Sequence, residues 1–537
     1  MLEESFEIVN VKKGNFYVVI FCFNYVGEYH SSVANYYNEK ISYFGKEINL
    51  RVPYIADVDT KITHAAKMMD GSIKTAYNIL NYDSVHKLGK TEIKRIAYEE
   101  INSIIKLAEE CGIAYDKYFS SLVTNYNESV YKKFTTFNST IDSTLVNYDS
   151  SMLVVNPNCA AYYYEYDFGK KYMNLVNLYD DIGENFKMSD EMRRIYQDFT
   201  RGINKYLDDK KIFKMKVSNA FVKLWEIYYT HNIIASGKKS KKTELRAFHM
   251  CEAPGQWIKT TEEYIENNVE HKLEYKWLAN SLNPYNKMNI AKYGKDIISD
   301  TYSLMRNNKS KWIYGHDDTG DITKPENILW YRDRLFKTNL HLVSGDAGLP
   351  AGDVPLVFLQ KLDFAQCVLT LAVASAGTNC VIKCFSPYMK TNPKTFQATG
   401  FFVNLMYLYA SCFETVYLYK PYASRPQSGE FYIVGKNFTS ITEQNLTKLL
   451  EVLSKFEENQ VFIAREDIPD KFEVLVKDFL QRLITYNIES IEMGYFLNQC
   501  YNDPDDIFDF KKLITSKEVE KIQAKRYKTF CEKFNLV

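Results

Sequence analysis

Between residues 205 and 438, short apolar runs alternate with longer stretches whose apolar residues recur at three- and four-residue spacing. The short runs cover 245–251, 275–281, 311–315, 340–343, 379–385, 415–419 and 430–434, and their length and apolar character predict buried strands. The periodic stretches 256–268, 286–306, 355–375 and 394–410 predict the helices between them. Such alternation predicts an α/β domain, a mostly parallel sheet with helices on both faces. No helix fits between 415–419 and 430–434, so these two runs predict one antiparallel hairpin at the sheet edge.

The flanks read differently. Residues 1–204 open on apolar runs at 6–11 and 16–23 around Lys12-Lys13-Gly14-Asn15, the pattern of a β-hairpin. An amphipathic helix is predicted over 92–110. This α+β region carries no chemical motif and is a candidate surface for a protein partner. Residues 441–537 read as helices, for example 443–457. The chain thus divides into an N-terminal region 1–204, a central domain 205–440 and a helical C-terminal region 441–537.

Composition narrows the functional classes. With 46% hydrophobic and 25% charged residues among 537, the chain is globular and not intrinsically disordered. Lys+Arg 67 against Asp+Glu 67 excludes a whole-chain basic field, so any nucleic-acid surface is local. The ten cysteines lack zinc-ligand spacing, which argues against a disulfide framework or structural metal and for an intracellular, cytoplasmic or nuclear, unsecreted protein. The run 16–23 is too short to span a bilayer and follows acidic residues, so neither a signal peptide nor a membrane anchor is expected.

Chemistry concentrates at the ends of the central strands. After 245–251 comes Glu252-Ala253-Pro254-Gly255-Gln256-Trp257, an acid, a tight turn and a helix start. Open parallel sheets bind ligands at their carboxyl ends, where a glycine allows close backbone approach and a helix N-terminus favours anionic groups. Asp346 follows the 340–343 run, Lys383 interrupts an apolar strand, Glu430 opens the last strand, and Lys223 sits on a helix ahead of the first. Singly, each also reads as an ordinary strand-end or helix-surface charge. Lysine, however, is rarely buried unless paired. His316-Asp317-Asp318 has no second ligand cluster, so no metal is expected. The first turn also lacks the G-x-G-x-x-G of a dinucleotide-binding dehydrogenase.

In order, Lys223, Glu252-Ala253-Pro254-Gly255, Asp346, Lys383 and Glu430 resemble the signature of the FtsJ-like (RrmJ-type) ribose 2′-O-methyltransferases, with their Lys-Asp-Lys-Glu tetrad. The similarity is greatest to the Adrift-type, cap-directed branch. Trp277-Leu278-Ala279-Asn280-Ser281-Leu282-Asn283-Pro284 and Asp317-Asp318-Thr319-Gly320-Asp321-Ile322 extend it, over residues 205–438. Gln256 departs from it, standing where the family often has a second glycine.

The resemblance implies a Rossmann-like class I methyltransferase sheet, S-adenosylmethionine as cofactor, and ribose methylation of RNA near a capped mRNA 5′ end. The same chemistry on ribosomal RNA, or a catalytically silent binding subunit, are the alternatives. It implies catalytic roles for Lys223, Asp346, Lys383 and Glu430. Cofactor contacts are implied for Glu252, Ala253, Pro254, Gly255, Gln256, Trp257, Asn280, Ser281, Asp321, Ile322 and Asp346. A free lysine titrates near about 10.4. Burial beside a second ammonium is expected to lower Lys383 and make it a general base. Lys238, Lys239, Lys241 and Lys242 form either an RNA-phosphate contact or a solvated basic loop.

Overall fold

The structure, a computed structural model, describes residues 3–10, 17–24, 41–43, 46–48, 141–165, 199–234, 243–269, 271–294, 300–348, 355–385, 397–426, 428–501 and 517–536. The chain divides into two compact units. One comprises Met1–Thr136, Val176–Tyr196 and Glu492–Gln523; the other comprises Phe137–Leu175, Gln197–Ile491 and Ala524–Val537.

In the first unit, β1 (Glu3–Asn10) and β2 (Tyr17–Asn24) pair antiparallel from Glu3↔Asn24 to Asn10↔Tyr17, the hairpin that the two apolar runs predict. A second small hairpin joins β3 (Ile41–Tyr43) and β4 (Lys46–Ile48). The helix expected over 92–110 lies outside the described residues.

In the second unit, the elements in chain order begin with β5 (Ile141–Val146), β6 (Tyr163–Glu165), α1 (Phe199–Asp209), α2 (Asn219–His231), β7 (Glu244–Met250) and α3 (Gln256–Asn268). Then come β8 (Glu274–Ala279), α4 (Lys287–Tyr293), α5 (Leu304–Asn307), α6 (Pro325–Leu335), β9 (Leu342–Gly345), α7 (Leu356–Val373) and β10 (Asn379–Phe385). The last are β11 (Gln397–Thr399), α8 (Gly400–Cys412), β12 (Phe413–Lys420), β13 (Glu430–Phe438), α9 (Glu443–Ser454), α10 (Asp470–Tyr501) as far as Ile491 and α11 (Lys517–Lys533) from Ala524. Seven strands form one sheet in the order β5-β12-β13-β10-β9-β7-β8. The segment β8-β7-β9-β10 is parallel, and β13 runs antiparallel between β10 and β12.

Most predicted strands appear within two residues of their expected ends, and the differences have local causes. Residues 311–315 form no strand: a single bridge joins Ala279 and Trp312, and the chain then turns through Gly315. The helix expected over 286–306 is interrupted: Gly294 adopts a positive φ at the end of α4, residues 300–303 are not helical, and α5 starts at Leu304. Helix α6 was not legible as periodicity; its start is marked by Pro325 at the first helical position. The β12–β13 hairpin is present, but β5 pairs with β12 and takes the sheet edge. This unit therefore extends beyond 205–440, drawing in β5 from one flank and α9, much of α10 and the end of α11 from the other.

The core explains these additions. Helix α2 starts on Ser218, whose Oγ accepts the Phe221 N–H. It buries Phe221, Trp225 and Tyr228 against the sheet and against Phe530 and Phe534, and Trp225 Nε1 donates to the Phe534 carbonyl at 2.9 Å. Helix α7 is apolar enough and, at 18 residues, long enough to cross a bilayer, yet residues 364–371 are buried inside this unit. Across the sheet, His249 bridges three strands, its Nδ1 2.6 Å from Ser344 Oγ and its Nε2 2.6 Å from Tyr275 Oη. Burial drives that imidazole down to about 3, so it is neutral.

Candidate active site

The carboxyl ends of β7, β9 and β10 and the amino end of β13 meet at one place. Strand register brings the charges together. Lys383 on β10 lies opposite Tyr432 on β13, and Glu430 two residues earlier shares that face. Ile382 pairs with Gly345 on β9, so Asp346 emerges beside Lys383.

The result is two ion pairs. Lys383 Nζ lies 2.7 Å from Asp346 Oδ1 and also donates to the Asp346 carbonyl at 3.3 Å. Lys223 Nζ, from α2, lies 2.6 Å from Glu430 Oε1. The Lys223, Glu430 and Lys383 side chains are each only 13% exposed, so water screens these pairs weakly. Tyr432 Oη donates to the same Glu430 oxygen at 3.0 Å. Burial alone would raise the Glu430 carboxyl, but Lys223, Lys383 and Lys420 hold it down at about 2.

Lys383 departs from expectation. Burial does push its ammonium down, but the carboxylates of Asp346 and Glu430 outweigh burial and hold it above the usual lysine range. The expected lowering rests on burial and a neighbouring ammonium; Asp346 and Glu430, expected to orient the lysines and keep the site near neutrality, reverse its sign instead.

The turn after β7 is built around Gly255, the N-cap residue of α3, with φ 108°. A Cβ there would lie 2.3 Å from Leu304 Cδ2, so only glycine passes under α5 without displacement. Because that N-cap has no side chain, Glu252 supplies the missing acceptor: Oε1 takes the N–H groups of Trp257 at 2.7 Å and Ile258 at 3.0 Å. Burial pushes this carboxyl well up, with those two bonds acting against it. Glu252 is thus the cap of α3, its side chain turned into the fold.

Several other expected contacts are also committed to scaffolding. Trp257 and Ile322 are core residues, 1% and 2% exposed. Asn280, fully buried, donates to the Gly320 carbonyl at 3.1 Å and to Tyr331 Oη at 2.5 Å, tying the end of β8 to the following loop. Ser281 is buried, and its carbonyl packs against Gly320. Gln256 accepts from Tyr302 Oη at 3.1 Å, which uses the polar group where the family often has glycine. Ala253 and Pro254 are half-buried, Ala253 against the Trp277–Trp312 cluster. Asp321 is half-buried and accepts from the Thr323 N–H at 2.9 Å and its hydroxyl at 2.6 Å. Lys238, Lys239, Lys241 and Lys242 lie outside the described residues. Among those residues, no group of three His, Cys, Asp or Glu side chains could hold a metal.

Cys251, at the end of β7, lies among these charges. Burial pushes its thiol up to about 12, and Lys383, Asp346, Asp321 and Glu252 all act on it electrostatically. Of the carboxylates near this thiol, Glu252 is spent on the start of α3, which leaves Asp346 and Asp321 as the groups that suit a cationic, hydroxyl-bearing ligand.

Two residues of this neighbourhood escaped the sequence reading. Lys420, 1% exposed, ends β12; Glu226, fully buried, lies one turn along α2 from Lys223. A charge closing the apolar run 415–419 was the available signal for Lys420, as a charge inside an apolar strand was for Lys383.

Comparison with known proteins agrees with this geometry. The FtsJ-like methyltransferase family profile matches residues 216–438, a span that holds both ion pairs and the Gly255 turn. An uncharacterized protein of Acanthamoeba polyphaga mimivirus is 28% identical, over 55% of this chain and 35% of its own length. The cap-specific mRNA (nucleoside-2′-O-)-methyltransferase 2 of Mus musculus is 30% identical, over 40% of this chain and 27% of its own length. "Probable methyltransferase EP424R" of African swine fever virus is 28% identical, over 44% of this chain and 53% of its own length. The alignments thus cover between about a quarter and about half of these relatives. Order of elements, paired charges and sequence similarity coincide over one segment: residues 216–438 are similar to the FtsJ-like methyltransferase family.

Proposed function

We propose that this chain transfers a methyl group from S-adenosylmethionine to a ribose 2′-hydroxyl of RNA, near the 5′ end of capped mRNA. The observation that carries the reading is the pair of buried Lys–carboxylate contacts, Lys383–Asp346 and Lys223–Glu430, set side by side within the family's segment. A fold used only for binding has no need of two lysines held almost out of water against carboxylates, an arrangement costly to maintain. The cap assignment rests on similarity to the mouse protein's segment.

S-adenosylmethionine, when bound, supplies an electrophilic methyl on a positively charged sulfur. The carboxylates around Cys251 fit its charge and hydroxyls, with Asp321, Asp346 and the backbone of the Gly255 turn as the groups that would hold it. Lys383 Nζ accepts the proton of the attacking ribose hydroxyl, whose oxygen would take the methyl as the methyl's bond to sulfur breaks. Asp346 fixes the direction of that amine through two contacts. The Lys223–Glu430 pair orients the ribose from the other side and keeps the site near neutrality. Because Asp346 keeps Lys383 protonated at rest, the amine must shed its proton before it works as a base.

The test is methyl transfer from labelled S-adenosylmethionine to matched short RNAs with and without a 5′ cap. Transfer confined to capped RNA supports the full reading. Equal transfer to both overturns the cap assignment in favour of an internal or ribosomal substrate, and no transfer to either favours the silent fold.

A further inference from the structure

We propose that Lys420 is a positioning residue: its amino group fixes Ser424, Ser428 and the start of β13 so that the Glu430 carboxylate meets Lys223. This inference rests on the function proposed above. Lys420 Nζ donates to the Ser428 carbonyl at 2.6 Å, the Glu430 carbonyl at 2.9 Å and Ser424 Oγ at 3.1 Å. Ser424 Oγ in turn faces Glu430 Oε1 at 3.5 Å. One amine therefore ties down both the backbone of Glu430 and a hydroxyl directed at its carboxylate.

The loop is held from other sides as well. Glu226 Oε1 accepts the Tyr422 N–H at 2.8 Å and Tyr419 Oη at 2.7 Å, and its Oε2 accepts the Ala423 N–H at 3.1 Å. From α10, the Asn487 amide donates to the carbonyls of Pro426 and Ser428. These contacts brace the loop as a whole, whereas Lys420 alone among them reaches Glu430.

Bracing by itself does not require a charge. A buried ammonium is expensive, and a neutral amide donor could serve the same carbonyls. What the ammonium adds is positive charge beside Glu430, which together with Lys223 and Lys383 keeps that carboxyl ionised. The charged groups acting on Lys420 are Glu430, which favours its protonation, and Lys223, which opposes it; burial brings it down to about 7.

The test uses the full chain and four versions of it: wild type, Lys420→Met, Glu430→Gln and the double variant. Single-turnover rates are measured at saturating RNA and S-adenosylmethionine, with the KM for the methyl donor measured separately. Lys420→Met is expected to lower the rate on the order of 10- to 100-fold while that KM changes less than about twofold. In the Glu430→Gln background the same change is expected to cost less than about threefold, because its effect runs through Glu430. A wild-type rate for Lys420→Met, or the full loss repeated in the Glu430→Gln background, overturns the proposal. Lys420→Gln, which keeps a donor and removes the charge, provides the same comparison if Lys420→Met does not fold, and is expected to lose rate as well. Thermal unfolding of the four chains reads the coupling without turnover, and strictly additive shifts in Tm count against it. A wild-type chain that methylates no RNA overturns the proposed function; the coupling between Lys420 and Glu430 is then decided by the unfolding data.

Discussion

Replacing Glu430 with Gln tests the electrostatics of the site at a defined magnitude. The carboxyl sits at about 2 against an ordinary 4.5, a gap of roughly 2.5 pH units. At about 1.4 kcal/mol per unit, the ionised form is favoured by the fold by about 3 kcal/mol. With only 13% of its side chain exposed, little of this is lost to screening. The sign follows from a depressed carboxyl: the stabilisation is complete above pH 4.5 and disappears as pH falls towards 2. Glu430→Gln should therefore unfold about 3 kcal/mol more easily at pH 7, and the gap should shrink to about 1 kcal/mol at pH 3. Urea titrations of both proteins at pH 7, 5, 4 and 3, followed by tryptophan fluorescence, give the comparison; buried Trp225 and Trp257 lie in the core beside the site. A gap below about 1 kcal/mol at pH 7, or one that does not change with pH, would refute the reasoning.

Lys383→Arg should bind S-adenosylmethionine and RNA yet lose at least about 100-fold in single-turnover rate, since a guanidinium cannot act as the base. Because carboxylates hold Lys383 above the usual lysine range, the chemical step in the wild type should accelerate about tenfold per pH unit between pH 7 and 9; a flat profile removes Lys383 as the proton acceptor. His249, held at about 3, disfavours acid: the unfolded chain gains a proton below about 6.5 that the folded chain refuses. Relative to His249→Gln, the wild type should lose about 2 kcal/mol of stability between pH 6.5 and 5, measured by urea unfolding, and parallel pH curves would contradict this. Gly255→Val places a branched side chain at φ 108° against Leu304, so its Tm should drop with a cost of about 2 kcal/mol or more, and Gly255→Ala should fall between; an unchanged Tm for the valine variant would mean the turn relaxes freely.

The fold was legible where hydrophobic period decides structure. The apolar runs from 245 to 434 became β7, β8, β9, β10, β12 and β13 with small shifts, because each is buried and cannot slip by a residue without reversing its faces. The Trp312 segment looked like a strand because its apolar residues are buried, but burial there is in a cluster under α5 and not in the sheet. Strand β5 was not legible as part of this unit, since a pairing across more than 260 residues leaves no local mark. For the site, residue type and order brought out Lys223, Asp346, Lys383 and Glu430, which do lie together. Partners did not follow from order alone. Nothing in the one-dimensional pattern says that Glu252 turns inward to cap α3, or that Asp346 faces Lys383 closely enough to reverse the effect of burial.

Whether the two ion pairs carry out methyl transfer to a ribose hydroxyl can be decided on a single pair of RNAs. The two are capped and identical except that the first transcribed nucleotide carries either a 2′-hydroxyl or a 2′-hydrogen. Each is incubated with the full chain and labelled S-adenosylmethionine, then digested to nucleosides for mass analysis. The expected result is label on the 2′-oxygen of the hydroxyl-bearing RNA, none on its 2′-deoxy counterpart, and loss of the signal with Lys383→Arg. Label on a base, equal label on both RNAs, or undiminished transfer by Lys383→Arg would contradict the assignment of this chemistry to the site.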